Sequence, residues 1–381
     1  MKKKHLLAAV AAGIMAFAML GSCAFAEEAE EENSTETCKS YLTGETVSVS
    51  VGRKRPVALM LNNIYDAIPQ YGIENAAIVY EAEVEGLITR LMGIFEDYKD
   101  VDRIGSIRSC RPYFIYYARE FNAMYGHFGQ AIYAIPVLQL PTTANISGIP
   151  EYGLAADGEL AYYRSDDRPS PHNVFTNYNM LKDSIKSYGY SRKYNDGYTG
   201  HYKFAEDGQQ VNLDKGFIAK VVLPGYTYNH ARFDYHPEDG LYYRSQYGDA
   251  QIDGGTGRQL AYKNIIIQSC ESTPFDDNGY LWTDPRGSGS GWFITNGRAE
   301  KISWVKEGWS AEDPVETTIE AANLAVDVRE CDFKLTRYYD ADGNEITLNQ
   351  GKTWVCIVRN SNADHVIISD DPAIDSYAID F

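Results

Sequence analysis

The stretch YEAEVEGLITR, Tyr80 to Arg90, constrains the fold most tightly. Carboxylates fall at every second position, Glu81, Glu83 and Glu85, with Ile78, Tyr80, Ala82 and Val84 between them. Successive side chains of a strand point to opposite faces, so this period of two reads as a strand with one acidic and one apolar face. Like charges about 7 Å apart along one face repel each other. Such a face needs solvent, basic partners or a ligand.

Candidate partners are close in the chain. Arg90, Arg103, Arg108 and Arg111 follow directly, and Arg164, Asp166, Asp167, Arg168, His172 and Asn173 come further on. Carboxylates and guanidiniums brought together form bidentate pairs, and the same groups hold a carboxylate, phosphate or sugar in a fixed orientation. Two arrangements remain open. In one, the glutamates face the arginines across a polar cleft at strand ends, with Glu81, Glu83, Glu85, Arg90, Arg108, Arg111, His127, Arg164, Asp167, Arg168, His172 and Asn173 as the ligand-binding set. In the other, the same charges seal the fold as a salt-bridge network.

From Thr46 the pattern is globular. RPVALMLNN, AAIVYEAEVEG and LITRLMGIFE read as strands, and RPYFIYYAREFNAMYG (111–126) and YNMLKDSIKSYGY as amphipathic helices. The segment between about Ser191 and Lys215 is polar and turn-rich. Beyond it come short alternating strands punctuated by DG and NG turns, such as ARFDYHPEDGLYYRSQYG and GSGWFITNGRAEKISWVKEG. The expected architecture is an α+β or α/β domain over 46–205, carrying the Glu/Arg/His cluster, and a mainly antiparallel β domain over 206–381.

The N-terminus carries an address. MKKK, an apolar run from Leu6 to Leu20 and small residues at its exit make a secretory signal over 1–22, too short for a spanning helix. LGSC resembles a lipobox that would lipidate Cys23, whereas Ala24-Phe25-Ala26 fits cleavage after Ala26 and secretion. The acidic, aperiodic stretch EEAEEENSTET favours the lipid anchor, because it suits a solvated tether over 23–45. Removing Lys2, Lys3 and Lys4 takes the formal charge from −18 to −21, which excludes nucleic acid as a natural partner. The expected location is extracytoplasmic, with the membrane met only through the anchor.

Other motifs read as structure. Cys110, between Arg108 and Arg111, could form a thiolate with His127 as base, but a small buried thiol before a helix is the simpler reading. DADGNE (340–345) and DGGTG (253–257) read as turns, not as calcium or phosphate loops. Trp282, Trp292, Trp304, Trp309 and Trp354 sit at strand spacing, which favours the core over sugar stacking. Neither a metal site nor a cofactor is expected, since no HExxH or zinc-type cysteine spacing occurs.

The strings RPVALMLNN, IENAAIVYEAEVEGLITR, DRIGSIRSCRPYF, YYRSDDRPSPHN, GRAEKISWVKEG and ITLNQGKTWVCIV together resemble the bacterial YerB-like lipoprotein family, a two-part domain of unknown function. The resemblance implies a surface-anchored, two-part protein and supplies no reaction. The chain departs from the family pattern at Cys110 and after His127, where HFGQ replaces a glycine-richer run. The expected function is binding of a glycan, a peptidoglycan fragment or a partner protein through the Glu/Arg/His cleft. The alternative is hydrolysis of saccharide or peptide bonds by contrasting carboxylates, Glu81 or Glu83 with Asp167.

Overall fold

The structure is a computed structural model that describes residues 36–310, 312 and 317–377. The signal peptide, Cys23 and the tether up to residue 35 lie outside the described residues. Regular structure is present before Thr46, where the sequence pattern placed the start of the globular part. Thr37–Lys39 pairs antiparallel with Thr46–Ser48, and Leu42 between them is fully buried.

Strand far outweighs helix in the described chain. An 11-stranded sheet runs through the molecule in the order Phe217–Ile218, Arg298–Lys306, Ser288–Thr295, Asn264–Cys270, Thr353–Arg359, Ile78–Glu83, Thr89–Phe95, Val57–Asn62, Met124–His127 and Asn145–Ser147, with Thr336–Tyr339 also paired to Arg298–Lys306. Strands from both sides of the turn-rich segment therefore share one sheet. Its centre is the parallel pairing of Thr353–Arg359 with Ile78–Glu83. The Ser191–Lys215 segment itself is stitched in, because Lys203–Phe204 pairs in parallel with Thr347–Leu348.

The expected alternation sorts residues onto two faces. Tyr80, Ala82, Met60, Met92, Val355 and Ile357 enter one apolar cluster together with the Pro112–Glu120 helix. Val79, Leu59, Leu61, Leu91, Trp354 and Cys356 enter the other. That second face is covered by a six-stranded sheet that includes Val221–Leu223, Arg232–His236 and Leu241–Gln246, and by Leu181 and Ile185 of the Tyr178–Ser187 helix. Burying a large apolar side chain contributes about 1.5–3 kcal/mol, which explains why period two dictates the layering.

The first helix stops short of the expected Gly126. It ends at Glu120, Asn122 takes a left-handed φ of 53°, and Met124–His127 becomes a strand parallel to Val57–Leu59. Asparagine tolerates that conformation, and the sheet edge recruits the residues that follow. Asp340 and Asp253 each close a turn as expected, accepting from the backbone amides of Asn344 and Gly255 at 2.8 and 2.7 Å.

A buried ionic group pins the helix to the second half of the chain. Glu120 accepts from Lys306 Nζ at 2.6 Å, from the Thr336 amide at 2.7 Å and from Thr336 Oγ1 at 2.9 Å, with His201 Nε2 3.1 Å away. Burial alone would push the Glu120 carboxyl up, but Lys306 and His201 outweigh it and hold it down at about 2. Among the described residues no helix is long and apolar enough to cross a membrane.

Candidate functional site

The three glutamates separate. The strand ends at Glu83, and Glu85 lies in a tight turn, Glu85–Leu87, where Gly86 has φ 68°. Alternation stops there, so Glu85 leaves the face that Glu81 and Glu83 share. Its partner is Arg111, the residue preceding the Pro112–Glu120 helix, whose Nε and Nη2 grip the two carboxylate oxygens at 2.6 and 2.5 Å. Burial raises the Glu85 carboxyl, but the Arg111 hydrogen bonds and charge leave it lowered on balance.

Two more guanidiniums meet this pair. Arg90 is 4% exposed and donates to the Ser109 carbonyl at 2.8 Å, while half-buried Arg108 donates to the Pro171 carbonyl at 3.3 Å. Among the described residues neither forms a salt bridge with a carboxylate. Burial, then the charges of Arg111 and Arg108, push Arg90 down, and burial and Arg111 do the same to Arg108. His172, whose Nδ1 lies 2.8 Å from Asn62 Nδ2, is also lowered, first by burial and then by Arg108, against the pull of Asp66 and with Arg168 adding to it. The site is three mutually repelling guanidiniums with one carboxylate, at the start of a nine-residue helix whose first amides carry partial positive charge. That arrangement can receive an anion.

Glu81 and Glu83 are placed elsewhere, which corrects the expectation that they face Arg108, Arg111 and Arg168. Their face packs on the second sheet. Glu81, 0% exposed, accepts from Thr89 Oγ1 (2.7 Å), Asn229 Nδ2 (2.8 Å), Arg244 Nη2 (2.7 Å) and Trp354 Nε1 (3.2 Å). Glu83, 2% exposed, pairs with Arg359, and burial raises its carboxyl against the pull of that guanidinium. The network arrangement therefore describes Glu81 and Glu83, and the arginine-facing arrangement describes Glu85 alone.

The remaining candidates divide likewise. His127 is fully enclosed, its ring nitrogens 2.8 Å from the Gly129 carbonyl and 2.7 Å from Asn145 Oδ1, and burial brings it down to about 4. Arg164 holds Asn173 at 2.8 Å on an exposed hairpin, and Asp167 pairs with Arg103 at 2.8 Å. Arg168 donates to the Ala67 and Pro69 carbonyls, fastening its loop to the 64–72 turn. Cys110 is fully buried and its thiol is pushed up to about 12, so it is no ready thiolate. Trp304 and Trp354 are core residues, whereas Trp282 is only partly buried.

Sequence reasoning missed Arg244, Asn229, Gln246 and Gln251, which close the network around Glu81. One signal was available. In LYYRSQ the buried positions are Tyr242, Arg244 and Gln246, a period-two set whose polar members resemble a solvent face unless a buried acid awaits them.

Comparison with known proteins agrees with this architecture. Residues 42–191 match "Protein of unknown function (DUF3048) N-terminal domain", and residues 221–321 match the corresponding C-terminal domain. The chain is 30% identical over 331 residues to "Putative lipoprotein YerB" of Bacillus subtilis (strain 168), covering 85% of this chain and 87% of that protein. The crystal structure of the YerB protein from Bacillus subtilis superposes with a TM-score of 0.70 at 26% identity, over 87% of this chain and 100% of that one. The chain belongs to the YerB-like family, the two-part DUF3048 proteins of unknown function.

Proposed function

We propose that this protein is held outside the cytoplasm by a lipid on Cys23 and binds an anionic ligand of the cell envelope, a glycan, a peptidoglycan fragment or an acidic partner protein, through Arg90, Arg108 and Arg111. The observation that carries the reading is the excess of guanidinium over carboxylate around Glu85, in a chain whose net charge is strongly negative. Buried like charges are unfavourable to the fold, and sites that keep them are commonly sites that bind. The LGSC string and the lipoprotein description of the Bacillus relative support the anchor. Enclosure of Glu81 and Glu83 argues against hydrolysis by those carboxylates, since neither presents an oxygen to an attacking water.

The test is an NMR titration of the His172 imidazole in the protein starting at Cys23, with and without inorganic phosphate. An anion beside Arg108 offsets the positive field on His172, so its midpoint should move upward, and Arg108→Gln should weaken the phosphate dependence. A midpoint indifferent to phosphate in the wild-type protein would sink the proposal.

A further inference from the structure

A groove of about 300 Å³ opens beside the arginine cluster, between the Pro112–Glu120 helix, the Ser272–Thr283 hairpin and the Leu324–Val328 strand. Its volume lies at the small end of the range for small-molecule sites, about 300–1,000 Å³. Aromatic rings make up one side of the lining, beside apolar Val137, Ala325 and Val326 and the carboxylate of Asp327. Tyr133 and Phe275 stack with centroids 4.1 Å apart and planes 5° from parallel, Trp282 lies 5.8 Å from Phe275, and Tyr116 meets Trp282 edge-on at 5.8 Å. Phe275 remains 39% exposed although it belongs to this stack. Arg286 and Arg329 stand at the groove, Arg286 held by Asp284 and lying 5.1 Å above the Trp282 ring.

The groove adjoins the arginine cluster. Pro112 lines the groove and follows Arg111 directly, the Arg111 guanidinium is 5.5 Å from the Tyr280 ring, and Tyr280 packs edge-on against Tyr133 at 5.8 Å. Chemistry then selects the occupant. A pyranose ring has an apolar C–H face and a rim of hydroxyls, which matches aromatic faces bordered by guanidinium donors. A sugar carrying carboxylate or phosphate matches the neighbouring cluster as well.

We infer that this groove is a saccharide subsite, in which Tyr133, Phe275 and Trp282 take the uncharged rings of an anionic glycan whose charged group is held at Arg90, Arg108 and Arg111. The inference rests on the anion-binding reading above, and its test separates the two. The probes are a neutral N-acetylglucosamine tetramer, inorganic phosphate and a sugar-free peptidoglycan stem peptide, each titrated into the protein starting at Cys23 by calorimetry and tryptophan fluorescence. The tetramer should bind and perturb the fluorescence. Phe275→Ala should weaken it about 3- to 10-fold, as expected for loss of one aromatic contact, and leave phosphate binding unchanged. Arg108→Gln should do the reverse. A tetramer that fails to bind, or binds wild type and Phe275→Ala equally, overturns the subsite while the anion reading stands. Phosphate that fails to bind while the tetramer binds overturns the anion reading, and with it the anionic character of the glycan. A stem peptide that occupies the groove in preference to the tetramer overturns the saccharide in favour of a peptide.

Discussion

Glu81 and Arg244 stand 163 residues apart in the chain and meet at 2.7 Å with neither side chain exposed. The acid belongs to the large sheet and the base to the smaller one, so the pair ties the two layers through the core. Arg244 also lies 4.4 Å from the Trp354 ring centroid, and Gln251 accepts from its Nη1. Both terminal nitrogens of Arg244 are thus bonded, in a place where the apolar faces on either side offer no partner.

Breaking this pair should be expensive. Glu81→Gln keeps the shape but leaves Arg244 buried without its counter-charge, and chemical unfolding should record a loss of about 3–5 kcal/mol. Adding Arg244→Met should recover part of that loss, because the stranded charge goes with it. A Glu81→Gln protein as stable as the wild type would show that the pair does not hold the sheets together.

Glu96 makes stability depend on pH near neutrality. Burial, aided by Asp97 and Glu45, raises its carboxyl to about 7 against the Ser40 hydroxyl bonded to it at 2.5 Å and the nearby Arg53. The unfolded chain releases this proton near pH ~4.3, whereas the folded protein keeps it until about 7, so this group's stabilising contribution declines as pH rises between those values. Thermal unfolding at pH 5 and pH 8 should show a smaller drop for Glu96→Gln than for the wild type. Identical drops would remove Glu96 as the cause.

Cys110 should resist alkylation in the native protein. Its thiol is enclosed and pushed up to about 12, so at pH 8 almost no thiolate forms. Mass spectrometric mapping after iodoacetamide should find Cys110 unmodified in native buffer and modified in denaturant. Rapid native labelling would restore the reactive-cysteine reading.

Local pattern carried the strands and the turns. The period of two around Ile78–Glu83, the apolar run of Thr89–Phe95 and the turns at Asp253 and Asp340 needed only side-chain pattern and turn chemistry. Glu85 and Arg111 both stood in the expected charge set, but nothing in the sequence singled out their pairing. The partners of Glu81 and Glu83 were not legible, since Arg244 comes from a separate sheet and Arg359 from a strand made at the far end of the chain, and nothing local marks an arginine as facing inward. The aromatic groove escaped for a similar reason, as Tyr133 and Phe275 are brought together by loops distant in sequence.

The central place of Thr353–Arg359 has a consequence for the order of events in synthesis. Its neighbour Ile78–Glu83 is made early, and the Trp354–Glu81 contact spans 273 residues. A ribosome delivers the acceptor strand long before the donor, so one side of Ile78–Glu83 waits as an open edge with Glu81 lacking both Trp354 and Arg244. Open edges invite pairing with other chains, and non-local contacts close slowly. Until Thr353–Arg359 is made, that side of Ile78–Glu83 has no native strand to pair with, and Glu81 and Glu83 keep their charges without their C-terminal partners.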